Sequence, residues 1–333
     1  MRYALVELDG EPRVGLVVDP GEVPVADASP ETTVARQLST TVEVRLFEPG
    51  TDLLSAAIAR DVPADDARAV PLPQVTLLAP VHPASFRDFV AFEGHIAGAS
   101  AMLDNPEAAM ARWAEAPMLL FGSPHAMIAD GEPVAAPAGS EALDFELEVG
   151  VVIGRDGRDL TSEEAVDHIA GYVIVNDWSA RDIQRREMQG GLGPVKSKDF
   201  ATTIGPWLVT PDELEGARTG DRLDLRMSVS INGVEFGSDT LAHMAWSFAE
   251  LISYASRNAW VRAGDLIASG TCQGGALSEV WGRTGRQEPP PLQPGDVVTM
   301  TVEGLGTITN PVVAAAPERS PIPPATRLSE LQR

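Results

Sequence analysis

The feature that most constrains this chain is strict period-two alternation interrupted by tight-turn dipeptides. Residues 223–236, LDLRMSVSINGVEF, alternate in polarity around Asn232-Gly233. Alternate residues of a strand share one face, whereas helical faces repeat every 3.6 residues, so this segment has to be extended. Asn-Gly supplies the two left-handed positions of a two-residue hairpin turn. Residues 296–309, DVVTMTVEGLGTIT, read as a second hairpin. Residues 2–18 read as a third, with Asp9-Gly10 as its turn. A chain with this pattern folds around antiparallel sheets.

Helices are fewer. Residues 51–60 read as a short helix capped by Thr51 or Asp52, and Thr161 with Glu164 forms a capping box before another. Residues 85–103 read as largely helical, with Phe86, Phe89, Val90, Ile96 and Met102 as an imperfect apolar stripe. Residues 179–188 and 244–257 complete the helical set. Strands outnumber helices after residue 140, which predicts a β-rich α+β fold rather than a doubly wound sheet. No glycine-rich loop follows a strand and opens a helix, so no nucleotide cofactor is expected. The length, 333 residues, suits one large and one small domain. The proline- and charge-rich run 61–73 marks the expected boundary, giving domains 1–73 and 74–333.

Charge and cysteine content narrow the function classes. Against 48 Asp and Glu stand 25 Lys and Arg, a formal net charge of −23. Such a chain repels phosphate backbones, so no nucleic-acid partner is expected. Cys272 is the single cysteine, which excludes an intrachain disulfide and fits a reducing, cytoplasmic location. No apolar run approaches the roughly 20 residues of a membrane span. Glu7, Asp9 and Glu11 break any leader-like apolar stretch at the start.

Candidate chemistry lies mostly between residues 88 and 198. Glu146 and Glu148 are two apart in a strand pattern, 143–153, so their carboxylates share a face. The commoner meaning of such a pair is a half-exposed strand with a solvated acidic side. Asp177 closes the apolar strand YVIV-Asn-Asp and offers a third carboxylate, and three carboxylates on strands suit a hard cation such as Mg²⁺. Asp177 and Ser179 also suit the role of cap for the helix that follows. His95 lies seven residues after Asp88; alone in an apolar segment it is more often structural. Arg181, Gln184 and Lys198 bracket a glycine-containing loop, which near a metal would suit binding of an oxo acid and is more commonly a solvated surface.

In combination these segments resemble a known family. DFELEVGVVIG, followed by GYVIVNDWSARDIQRREMQGGLGPVKSKDFATTIGPW, is similar to the fumarylacetoacetate hydrolase family, and SGTCQGG at 269–275 resembles its active-site turn. The resemblance covers about residues 76–310. It implies a mixed β-sandwich roll for the catalytic domain, preceded by a small β-rich N-terminal domain. It implies a metal site of Glu146, Glu148, Asp177 and Asp88, taking Mg²⁺, Mn²⁺ or Ca²⁺. It implies His95 as the water-activating base, oriented by Glu279 or by its competitor Glu93. Lys198 and Gln184 are implied as catalytic donors, and Arg181, Gln184, Lys198 and Thr271 as substrate contacts. The implied activity is hydrolysis of a C–C bond in a diketo acid or acylpyruvate, as in aromatic catabolism, by a homodimer. Decarboxylation or isomerisation of a 2-oxo diacid is the enzymatic alternative, and a catalytically silent metal-binding scaffold the non-enzymatic one. Members acting on fumarylacetoacetate itself hold its far carboxylate with a Tyr and an Arg. Here PMLLFG offers Leu119, Leu120 and Phe121 in that region, and Arg112 is the only Arg between His95 and Glu146. An uncharged distal group is therefore expected on the substrate.

Overall fold

The computed structural model describes residues 1–18, 42–101, 105–191, 193–317 and 324–327. A twelve-stranded sheet forms its spine. Across the sheet run Ala69–Pro71, Glu43–Leu46, Glu11–Val18, Arg2–Leu8, Thr202–Val209, Ile169–Asp177, Leu147–Ile153, Leu266–Ala268, Phe86–Phe89 and Leu119–Gly122. Thr76–Leu78 also pairs with Arg2–Leu8, and Met127–Ile128 with Thr202–Val209. The pairing is antiparallel except for Leu266–Ala268 with Phe86–Phe89 and Thr202–Val209 with Met127–Ile128. A five-stranded sheet in the order Val234–Thr240, Arg226–Ile231, Val297–Val302, Gly306–Val313, Val134–Ala135 accompanies it. The fold is the β-rich α+β arrangement that the alternation demands.

Two apolar clusters cover the two faces of the large sheet. One gathers Val149, Val151, Ile174, Met300 and Ile252 between the sheets and helix Phe248–Ser256. The other gathers Val152, Val173, Val175 and Leu266 with Leu53, Ala56 and Ala57 of helix Leu53–Ala59. Burial on both faces explains why Leu147–Ile153 and Ile169–Asp177 are nearly continuous apolar runs. It also removes the half-exposed strand as an account of Glu148, which has no exposed surface, or of Glu146, 4% exposed just before the strand.

All three hairpins form in the segments expected of them. Asp9 and Gly10 take φ values of 55° and 81°, and Asn232 and Gly233 take 52° and 77°, the left-handed pairs that such turns require. Asp52, not Thr51, caps its helix.

Two helical expectations are corrected. In 85–103 the helix is only Glu93–Ser100, while Phe86–Phe89 is a strand. Phe86 and Phe89 are three apart, which resembles one side of a helix. In a strand that spacing sends them to opposite faces, and each packs into a different cluster because both faces are covered. Met102 lies outside the described residues. In 244–257 the helix begins only at Phe248, where Ser247 and Glu250 form a capping box. No described helix is long and apolar enough to cross a membrane.

Candidate active site

Strand Leu147–Ile153 lies between Ile169–Asp177 and Leu266–Ala268. The 269–275 turn is laced to it: Ser269 N donates to Val149 O at 2.8 Å, Cys272 N to Leu147 O at 3.0 Å, and Leu147 N to Gly275 O at 3.0 Å. One strand farther, Asp88 pairs with Ala268 in register. These ladders bring Asp88, Glu146 and Glu148 together, each offering a carboxylate oxygen within 4.8 Å of the others, all buried.

This cluster is short of positive charge. Asp88 Oδ1 and Glu148 Oε2 are buried with no hydrogen-bond partner. Burial holds Asp88 well above the usual carboxylate range, and the Asp177 charge adds to that rise. Burial also raises Glu148, reinforced by the charges of Asp88, Glu146 and Asp177. Two unpartnered oxygens among converging carboxylates fit a hard divalent cation, which takes oxygen ligands and fills its remaining positions with water or substrate. Thr271 Oγ1 donates to the other oxygen of Glu148 at 3.3 Å.

Two cations flank the cluster. Lys198 Nζ donates to Glu146 Oε2 and, at 2.5 Å, to Asp177 Oδ2. Arg181 spans two carboxylates, with Nη2 2.7 Å from Glu146 Oε1 and Nε 2.8 Å from Asp144 Oδ2. Burial pushes Glu146 up, but Lys198 and then Arg181 outweigh it and leave the group well below its usual range. Burial raises Asp177, with Lys198 offsetting part of the rise. Asp177 thus reaches Glu146 through Lys198 and stands outside the group of three. It does not cap the next helix, and neither does Ser179: the cap of Arg181–Gln189 is Ala180, without a side-chain bond. Gln184, half-buried, accepts from Arg181 Nη1 at 2.9 Å.

The histidine approaches from a helix. His95 is 8% exposed, and its Nδ1 lies 3.0 Å from Glu279 Oε1. Glu279 is fully buried on helix Leu277–Thr284, and its second oxygen accepts from Gly274 N at 2.9 Å and Arg283 Nη2 at 3.0 Å. With Nδ1–H donated to the carboxylate, Nε2 is left as the basic nitrogen. It lies 3.9 Å from Glu146 Oε1, at the edge of the cluster. Glu93, the competitor for orienting His95, is exposed. The close approach rests on glycines: a Cβ on Gly282 would fall 2.0 Å from Gly98 O, and one on Gly98 would fall 3.1 Å from Glu279 Cβ.

Leu119–Gly122 forms the next wall. Leu120 is opposite Asp88 in the antiparallel register, so its side chain shares the Asp88 face. Leu119 and Phe121 point to the other face, and Phe121, 73% exposed, lies over Arg87. The expected three-residue apolar wall therefore reduces to Leu120, because alternation sends its neighbours away. Arg112 is exposed and paired with Glu115. The residue that sequence reasoning passed over is Asp144, fully buried and bonded to Arg181. Its signal was present: Asp144, Glu146 and Glu148 continue one period-two series.

Residues 84–313 match the family model of the fumarylacetoacetate (FAA) hydrolase C-terminal domain. The chain belongs to the fumarylacetoacetate hydrolase family. Members of the family are enzymes that include hydrolases, isomerases, tautomerases and decarboxylases, and they bind divalent metal. The chain is 36% identical over 192 residues to a 2,4-didehydro-3-deoxy-L-rhamnonate hydrolase of Sphingomonas sp. (strain SKA58), covering 57% of this chain and 63% of the relative. It is 34% identical over 201 residues to an oxaloacetate tautomerase of Bacillus subtilis (strain 168), covering 60% and 62%. The match thus spans less than two thirds of either relative. A solved fumarylacetoacetate hydrolase from Exiguobacterium antarcticum superposes with a TM-score of 0.69 at 27% identity, over 95% of this chain and 100% of the other. A maleylpyruvate hydrolase from Sphingobium sp. SYK-6, solved with manganese(II) and pyruvate, shares the fold at a TM-score of 0.65 and 19% identity, over the same 95% and 100%.

Proposed function

We propose that this protein is a divalent-cation-dependent hydrolase that cleaves a C–C bond in a diketo acid or acylpyruvate. The observation that carries the reading is the His95–Glu279 pair with its free ring nitrogen aimed at the carboxylate cluster. A tautomerase or decarboxylase acting through a cation alone needs no base for water. The proposed metal residues are Asp88, Glu146 and Glu148, which converge, and Asp177, which lies outside that group of three. Mg²⁺ is the proposed ion, with Mn²⁺ or Ca²⁺ as substitutes; the manganese-bound neighbour supports this class. Bound there, the ion supplies Lewis-acid chemistry, polarising adjacent oxygens of the oxo acid and taking up negative charge.

The remaining steps belong to the chain. His95 Nε2 accepts a proton from water as the water oxygen bonds to the carbonyl carbon distant from the oxo-acid head. Glu279, whose Oε1 lies beside Nδ1, steadies the resulting imidazolium. Two of the three Lys198 N–H groups are taken by Glu146 and Asp177, so the third is available to the developing oxyanion. Gln184 is proposed as a second donor, and Arg181 and Thr271 as positioners of the substrate's oxygens. The C–C bond then breaks with its electron pair going to the oxo-acid fragment, which takes back the proton from His95. The products are a carboxylic acid and a 2-oxo acid.

The second reading is a tautomerase or decarboxylase of a 2-oxo diacid, and the tautomerase relative favours it. Against it stands the lining of the pocket. Lys198, Arg181 and Arg283 are each bonded to carboxylates, the donors they and Gln184 have left are assigned above to the oxo-acid head and the oxyanion, and Leu120 shares the Asp88 face. A second substrate carboxylate buried there lacks a partner, which is costly. A screen of acylpyruvates and oxo diacids with Mg²⁺ or Mn²⁺, read by product analysis, tests the proposal. It expects a higher kcat/KM for an uncharged distal group, with paired acid products. Preferential enol–keto exchange or carbon dioxide release from a diacid would favour the second reading. A homodimer in the cytoplasm is proposed for the assembly and location, and residues 1–73 as an N-terminal module laid on the family domain.

A further inference from the structure

We infer that Asp144 is a positioning residue that couples the carboxylate cluster to the His95–Glu279 pair; the inference rests on the metal-dependent reading above. Asp144 has no exposed surface and makes four bonds. Its Oδ1 accepts from Phe145 N and Leu277 N, both at 2.8 Å. Its Oδ2 accepts from Arg181 Nε at 2.8 Å and Ser278 N at 3.0 Å. The two sides of this carboxylate lead to different halves of the site.

On one side, Arg181 divides its guanidinium between Asp144 and Glu146. With Asn in place of Asp144, the whole of that charge pairing falls on Glu146. A carboxylate held more tightly by an arginine gives less of its charge to a cation, so metal affinity has to drop. On the other side, Asp144 caps helix Leu277–Thr284 from outside the helix. The helix's own N-cap, Ala276, provides no side-chain bond, and the N–H groups of Leu277 and Ser278 are served by Asp144. An ionised cap at a helix start stabilises both the unpaired N–H groups and the helix dipole. Glu279 is the next residue on that first turn. Releasing the cap frees the residue that orients His95.

The test uses the full chain and the Asp144→Asn variant, with Asp182→Asn as a control. Asp182 also accepts several bonds, from Ser140, Glu141 and Ile183, but reaches neither half of the site. Titration calorimetry with Mn²⁺ alone is expected to show wild-type binding and at least about a tenfold weakening in Asp144→Asn, the scale typical of groups that orient metal ligands. At saturating Mn²⁺, kcat is expected to remain about tenfold or more below wild type while KM changes less than threefold. The loss is expected to be non-additive with Glu279→Gln in a double-mutant cycle. Asp182→Asn should match wild type in both measurements. If wild type binds no Mn²⁺, the metal-dependent reading fails. If wild type binds and Asp144→Asn binds equally, or recovers full kcat at saturation, the coupling role fails. Should Asp144→Asn not fold, Arg181→Lys cuts the same connection from its other end by removing the fork that spans both carboxylates. Its Mn²⁺ affinity is then expected to change several-fold, and an unchanged affinity overturns the inference.

Discussion

Each acidic side chain in this pocket is defined by what it lacks or shares. Asp88 and Glu148 have unpartnered oxygens, Glu146 is shared between Lys198 and Arg181, and Glu279 is wholly occupied in holding His95 and its own turn. That division of roles predicts distinct phenotypes. His95→Ala should lower hydrolytic kcat by roughly 10²–10⁴-fold while Mn²⁺ binding persists in calorimetry. An unchanged rate would assign His95 to structure. Leu120→Arg should raise kcat/KM for a substrate with a distal carboxylate relative to its uncharged analogue, measured as a ratio with one metal in one buffer. No change in that ratio would show that Leu120 does not face the distal group. At this scale the sequence was informative where a carboxylate repeated at period two, as for Glu146 and Glu148. Asp144 continues the same repeat, but two of its four partners are backbone N–H groups more than 130 residues away, and no local pattern announces a cap supplied from so far along the chain.

Among the elements, the contact between Glu93–Ser100 and Leu277–Thr284 matters most for the chemistry, because one helix brings His95 and the other Glu279. Gly98 and Gly282 allow their backbones to meet. Gly282→Ala places a methyl group where Gly98 O stands and should destabilise the fold by about 1–3 kcal/mol in denaturant melts. It should also reduce kcat with little change in Mn²⁺ affinity, since the carboxylate cluster lies on the strands and not on these helices. Equal losses of metal affinity and kcat would mean that the helix contact supports the whole pocket. The hairpins were legible because their turn dipeptides demand left-handed backbone. Phe86–Phe89 was misread as helix because its stabilisation comes from two neighbouring strands, Leu266–Ala268 and Leu119–Gly122, that are distant in the sequence. Glu279 was reachable only through the family resemblance, since its pairing with His95 joins residues 184 apart.

For the molecule as a whole, a buried group of carboxylates couples metal, proton and fold. Burial and mutual repulsion raise Asp88, Glu148 and Asp177. A raised folded pKa means that these groups favour the fold fully below their unfolded values, near pH ~4, and that this stability is lost as pH rises through the folded values. Glu146 is depressed, so its contribution is present above its ordinary value and is lost only in more acidic solution. Metal-stripped protein should therefore melt at falling temperature as pH rises above the ordinary carboxylate range of about 4. Glu148→Gln should flatten that slope, and saturating Mg²⁺ should reverse it. A rising melting temperature in stripped wild type above that range would contradict the charge balance described here. The β-rich architecture that positions these groups followed from hairpin periodicity, whereas the two-sided burial of the central strands became visible only with both apolar clusters in place. The central claim is that a bound cation and His95 together direct water onto a substrate carbonyl. It is tested most directly by turning over an acylpyruvate in water enriched in the heavy oxygen isotope, with metal-stripped and Mg²⁺-restored protein, and weighing the products. The account predicts heavy oxygen in the carboxylate of the released acid, formed only when Mg²⁺ is restored. Cleavage without metal, or turnover that yields a tautomer or carbon dioxide and no labelled acid, would contradict it.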